Sequence, residues 1–199
     1  MDTRISQRTI ACLGDSITYG HGVSQTRKTD AWPFVLQRLF GGSRKVLNFG
    51  ICGATAIEST PDSYEASGLL DKALSSGAEV FILMLGTNDT KDRCWNQESY
   101  AQDMKHIINR ILDKKPEKLF LMLPPKAFCD DNGDTAFGVS DEKIKLGVIP
   151  ELKKLAAEFD LPIIDLYSLT EQHPEYYLEG VHPNIQGNKV IAEHIFSVL

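Results

Sequence analysis

A chain of 199 residues, 42% hydrophobic and 24% charged, has the makeup of an ordinary soluble globular protein, long enough for one domain and short for two. Its net charge of −6, with no block of lysines or arginines, excludes the electrostatic footprint of a nucleic-acid-binding protein and gives no reason to expect an anionic membrane as partner. No apolar run approaches the roughly 20 residues that a membrane helix needs.

The opening MDTRISQRTIACLG has no separate apolar segment ahead of its first strand-like run, so no secretory signal is visible and a cytoplasmic location is expected. The four cysteines, Cys12, Cys52, Cys94 and Cys129, lack CxxC spacing and are expected to be reduced. Residues 8–14 read as a first strand, and residues 31–41 as a helix closed by Gly41 and Gly42. Residues 45–50 form a second strand, followed by a helical stretch with Leu69, Leu70, Ala73 and Leu74 on one face. The run at 79–86 is apolar without interruption, as suits a strand buried on both faces of a parallel sheet.

Next, Met104, Ile107, Ile108, Ile111 and Leu112 recur at helical spacing, and residues 118–124 make a fourth strand. A helix over about 141–159 carries Ile144, Val148, Leu152 and Leu155 inward. LPIIDL is a short fifth strand, and a last helix starting near Pro183 turns Ile191, Ile195 and Val198 inward. This alternation predicts a single α/β domain over 1–199, a three-layer α/β/α sandwich around a five-stranded parallel sheet in the flavodoxin-like order 2-1-3-4-5.

The loops after the first three strands read GDSITYGHG, NFGICGAT and GTND, Gly with small polar residues, as suits loops whose backbone approaches a ligand. In the predicted order these strands are neighbours, so the three loops share one mouth. There Ser16 offers a hydroxyl, Gly53 an unshielded N–H and Asn88 a side-chain amide, the equipment for attacking a carbonyl and holding an oxyanion. A serine hydroxyl needs a base. His182, in the loop before the last helix, reaches the same mouth if that helix packs beside the first strand. Glu179, three residues earlier, is placed to orient it.

GDSIT, NFGICGAT, GTND and VHPN, in this order, resemble the four blocks of the SGNH, or GDSL-type, hydrolases, and the resemblance spans nearly the whole chain. It implies a serine esterase with Ser16 as nucleophile and His182 as base. The implied oxyanion hole is the Ser16 N–H, the Gly53 N–H and the Asn88 side chain. Family members usually carry Asp where this chain has Glu179. Glutamate serves in other Ser-His-Glu triads, so Glu179 is expected as third member, with Asp165 at the end of the fifth strand as its rival. No α/β-hydrolase elbow, phosphate-binding loop, dinucleotide fingerprint or metal-ligand spacing occurs, so neither cofactor nor metal is expected.

Asp15 and Asp89 read first as organisers of their loops through backbone N–H groups. Asp15, His21, Trp95 and Phe128 are the candidates for a substrate wall, with Phe137 as a further stacking surface. The polar loop at 124–138 suits a sugar better than a long acyl chain. The stretches at 84–97 and 121–128 look most like sialate or other sugar O-acetylesterases. The expected reaction is therefore hydrolysis of short-chain, acetyl-type esters of a carbohydrate. The alternatives are a lysophospholipase or thioesterase of the same family, or a catalytically inactive flavodoxin-like binding module.

Overall fold

A computed structural model describes residues 8–199. Its strands are β1 (Arg8–Gly14), β2 (Arg44–Gly50), β3 (Val80–Met84), β4 (Lys118–Leu123) and β5 (Ile163–Asp165). They form one parallel sheet in the order β2-β1-β3-β4-β5, as expected. The helices are α1 (Ser16–Tyr19), α2 (Arg27–Asp30), α3 (Trp32–Leu39), α4 (Leu69–Leu74), α5 (Gln97–Leu112), α6 (Asp141–Lys143), α7 (Ile149–Phe159), α8 (Leu166–Thr170) and α9 (Ile185–Val198).

Side chains alternate across the sheet with period two, and each face has its own core. Ala11 and Leu13 of β1, Phe81 and Leu83 of β3, and Leu119 and Leu121 of β4 pack on one side with Leu70, Met104, Ile108, Ile111 and Leu152. Ile10 and Cys12 of β1, Ile82 and Met84 of β3, and Met122 of β4 pack on the other with Trp32, Leu36, Ile191 and Ile195. Every residue of β3 is buried. Burying each such side chain stabilises the fold by about 1.5–3 kcal/mol, which is why the uninterrupted apolar run marks the sheet centre.

Three expectations are corrected. The helix expected over 141–159 is α6 and α7 joined by a π-helical turn at Ile144–Val148, an extra residue in the helical ladder that the apolar spacing does not reveal. The last helix begins at Ile185, with Asn184 as its N-cap accepting from the Gly187 N–H at 3.0 Å. Pro183 lies before that cap, where it bridges to Tyr177. Finally, Val198, the last residue of α9, is 45% exposed, whereas Ile191 and Ile195 are fully buried.

One buried side chain ties α9 to α3. The Asn188 carbonyl oxygen accepts from the Trp32 N–H at 2.9 Å, and its amide donates to the carbonyls of Pro183 at 2.7 Å and Asn184 at 2.9 Å. The turn preceding α9 is thereby fixed against the start of α3, beside β1. No helix among the described residues is long and apolar enough to cross a membrane.

Candidate active site

Asp15 ends the loop after β1 and caps α1, its Oδ1 accepting from the Ile17 N–H at 2.9 Å. Ser16 is thus the first residue of a short helix at the carboxyl end of a central strand. Its hydroxyl lies 2.8 Å from Nε2 of His182, 166 positions away. The other ring nitrogen, Nδ1, is in direct contact with Oε1 of Glu179. With an Nδ1–H donating to the carboxylate, Nε2 carries the lone pair and accepts from the serine.

The reach of Glu179 follows from its turn. The Leu178 N–H donates to the His182 carbonyl at 3.1 Å, closing a loop in which Gly180 has φ of 83°. The Gly180 carbonyl in turn accepts from the Phe128 N–H at 2.9 Å. Side chains three residues apart are brought to one side of this turn. Asp165 is spent elsewhere: it caps α8, accepting from the Ser168 N–H and Oγ–H at 2.9 Å each.

Gly53 has φ of 83°, which an L side chain rarely adopts, so the loop after β2 needs glycine there. No hydrogen bond to the Ser16 or Gly53 N–H is formed among the described residues. Asn88 donates one amide hydrogen to the Ala54 carbonyl at 3.1 Å, which ties the loop after β3 to the loop after β2. Its second amide hydrogen has no partner among the described residues, and an amide nitrogen carries two donors.

Ser16, Gly53, Asn88 and His182 meet in a cleft of about 140 Å³, lined also by His21, Lys91 and Phe137. The cleft is small against the roughly 300–1,000 Å³ of pockets for drug-sized ligands. Ser16 and His182 are each only 5% exposed. Burial lowers the His182 pKa below its ordinary value, Glu179 opposes that shift, and His21 and Lys91 add to it. A buried, largely neutral imidazole beside a hydroxyl is the state required of a general base.

Two buried carboxyls underlie these loops. Burial raises Asp15 to about 6, against the hydrogen bond from Ile17. Burial likewise raises Asp89 to about 7, although its Oδ1 accepts from the Ile57 N–H at 2.9 Å. The second oxygen of each has no partner, so the charged form is poorly compensated.

The sequence candidates divide accordingly. His21 lines the cleft, its ring 4.5 Å from that of His182. Asp15 does not line it: fully buried, it works as a cap. Trp95 packs instead over Gly147 and against Tyr100, because a glycine in the π-helical turn leaves room for the indole. Phe128 faces a neighbouring groove with Tyr177 and Glu179, outside the cleft. Phe137, from the polar loop, sits on the rim at 57% exposure, its ring 5.1 Å from that of His182, with φ of 61°.

Cys52, Lys91, Val139 and Val181 also line the cleft and were not singled out by sequence. Their signal was position alone: each lies within four residues of a candidate or in the polar loop. All four cysteines are free thiols. Among the described residues no three His, Cys, Asp or Glu side chains come together as a metal site.

Comparison with known proteins extends this picture. Residues 12–190 match the profile of the GDSL-like lipase/acylhydrolase family. An acetylxylan esterase of Xylanibacter ruminicola is 29% identical over 210 residues, an alignment that covers 96% of this chain but 42% of that protein. The chain therefore spans less than half the length of that curated relative. A candidate arylesterase from Agrobacterium tumefaciens has a solved structure that superposes with a TM-score of 0.79 at 27% identity, covering 96% of this chain and 98% of that one. A carbohydrate acetylesterase from Sinorhizobium meliloti superposes with a TM-score of 0.75 at 22% identity, over 96% and 98% of the two chains, which shows a shared fold.

Proposed function

Because the chain belongs to the GDSL-like lipase/acylhydrolase family, we propose that it is a serine esterase that cleaves short-chain, acetyl-type esters of carbohydrates through an acyl-enzyme on Ser16. The observation that carries this reading is the relay from Glu179 through His182 to the Ser16 hydroxyl, closed by a 2.8 Å contact inside a small cleft.

The cycle has two halves. His182 Nε2 takes the Ser16 proton as Oγ attacks the ester carbonyl, and Glu179 stabilises the imidazolium that forms. Charge developing on the carbonyl oxygen is held by the Ser16 and Gly53 N–H groups and the spare amide hydrogen of Asn88. Collapse of the tetrahedral intermediate expels the alcohol, which receives the proton from His182. Water then repeats the sequence and releases the carboxylic acid.

The small cleft favours a short acyl group, and the similarity to an acetylxylan esterase favours a carbohydrate alcohol. A lysophospholipase or thioesterase activity would call for a longer apolar channel than Phe137, Val139 and Val181 supply. An inactive binding module would call for a Glu179 unable to reach His182, whereas the two side chains are in contact.

The test is turnover of p-nitrophenyl acetate by the wild type and Ser16→Ala, with fluorophosphonate labelling followed by peptide mass analysis. The reading expects activity and a label on Ser16, both lost in the variant. A fully active Ser16→Ala protein would refute it. An acyl series from acetate to octanoate should show rates falling with length, and rates that rise would move the activity to the lipase branch.

A further inference from the structure

The charged residues that follow Asn88 are not treated alike. Asp92 is paired with Lys143, and Arg93 with Asp62, both pairs on the outer surface. Lys91 instead lines the cleft and is half-buried. Its backbone is held, with its N–H donating to the Asn88 carbonyl at 3.3 Å and its carbonyl accepting from the Cys94 and Trp95 N–H groups at 2.8 and 2.9 Å. Its ammonium has neither an ion pair nor a hydrogen bond among the described residues.

No carboxylate lines the cleft itself. Glu179 is in contact with His182 and faces the grooves on either side of that turn. Asp15 and Asp89 are sealed in the core, where burial raises both; Lys91 opposes the rise of Asp15 through its charge, without an ion pair or hydrogen bond between them. Of the other ionisable lining groups, His21 and His182 carry positive charge or none, and burial pushes the Cys52 thiol up, towards its neutral form. Lys91 is thus the one lysine or arginine that lines the cleft of a chain whose net charge is −6.

We propose that Lys91 is a specificity-determining residue that binds a carboxylate carried by the alcohol part of the ester, so that the preferred substrates are short-chain esters of acidic alcohols such as uronic-acid-type sugars. This rests on the esterase reading above. The carboxylate belongs to the alcohol because a cleft of about 140 Å³ leaves little space for a charged acyl group beside Ser16. An ammonium–carboxylate contact with this partial burial keeps more of its strength in salt than a surface pair does.

The experiment compares kcat/KM within matched pairs that differ in one charge. One pair is para-acetoxybenzoate and its methyl ester; the other is an O-acetylated methyl glucuronoside and the corresponding glucoside. The informative quantity is the anionic-over-neutral preference, because intrinsic reactivity cancels when it is compared between proteins. In the wild type the anionic member is preferred. Lys91→Met should lower that preference by about tenfold, and Lys91→Arg should keep most of it. Raising ionic strength from about 0.02 M to about 0.5 M should erode it in the wild type and not in Lys91→Met.

A preference that agrees within about twofold between wild type and Lys91→Met overturns the inference. So does a higher kcat/KM for a succinyl ester of a neutral alcohol than for the acetylated glucuronoside, because the charge would then sit on the acyl side. A wild type labelled at Ser16 and active on the neutral esters, yet without charge preference, would leave the esterase reading standing while removing this one. A wild type neither labelled nor active would remove both. The thermal midpoint of each variant reports folding separately.

Discussion

Removing the Glu179 carboxylate should slow turnover without abolishing it. A hydrogen bond to a charged group is worth about 1.5–3 kcal/mol and about 1.36 kcal/mol is tenfold in rate, so complete loss of the contact with imidazolium corresponds to about 13- to 160-fold in kcat. The Glu179 side chain is 35% exposed, with a groove on either side. Water can therefore replace part of what the carboxylate does, and screening already weakens it. Glu179→Ala should accordingly lower kcat by about 10- to 50-fold, while Glu179→Asp, one methylene shorter, should stay within about tenfold of the wild type. The assay is steady-state hydrolysis of p-nitrophenyl acetate across pH. Glu179 is what raises the His182 pKa against burial, so its loss lowers that pKa further. A base works when neutral, so the acidic limb of kcat/KM moves to lower pH in Glu179→Ala. Equal kcat in all three proteins, with an unmoved limb, would mean that another group holds the histidine.

Asn88→Ala should reduce kcat by about 10²–10³ with little change in KM, the signature of a donor used in the transition state. Losing its bond to the Ala54 carbonyl should also cost about 1 kcal/mol of stability by urea denaturation. Asp89 binds a proton more tightly folded than unfolded, so its contribution to stability falls as pH rises from about 4 to about 7 and is constant above. The wild-type thermal midpoint should therefore fall more steeply from pH 5 to 8 than that of Asp89→Asn. That difference isolates Asp89 from His182, whose lowered pKa acts in the opposite direction. A Cβ on Gly50 would stand 2.2 Å from the Tyr19 backbone nitrogen, so Gly50→Ala should lose about 1–3 kcal/mol or more in urea denaturation. An unchanged midpoint would show that β2 and α1 can separate at little cost.

Much of the frame is legible in the sequence because strands buried on both faces are apolar without interruption, and β3 is the clearest case. The order of the strands follows from right-handed crossovers, which in turn place the three Gly-containing loops together. Ser16, Gly53 and Asn88 converge for that reason, and His182 joins them because Asn188 ties the turn before α9 to α3. What fails to show is whatever depends on how a loop is folded. Trp95 and Phe128 read as open stacking surfaces because aromatics in polar segments look available. A glycine inside an unpredicted π-helical turn instead draws Trp95 inward, and Phe128 is held at the turn of Glu179. Lys91 escapes notice because one lysine among neighbouring charges carries no mark of which is paired. Glu179 is chosen over Asp165 by geometry: one lies in a turn that folds back on itself, the other caps a helix.

The contact between Ser16 and His182 closes a loop of 166 positions around the whole sheet. The entropic cost of closure grows only with the logarithm of loop length, by about 0.6 kcal/mol per doubling, so the separation weighs little on equilibrium stability. Its weight falls on timing. Parallel pairing has no local hairpins to start from, and domains rich in such non-local contacts fold slowly. On the ribosome the Ser16 loop emerges well before His182 and α9, so a nascent chain lacks the base until that later segment has been made. In refolding, hydrolytic activity would then appear with the docking of α9 onto α3 through Asn188, after fluorescence and circular dichroism have already registered the collapsed sheet.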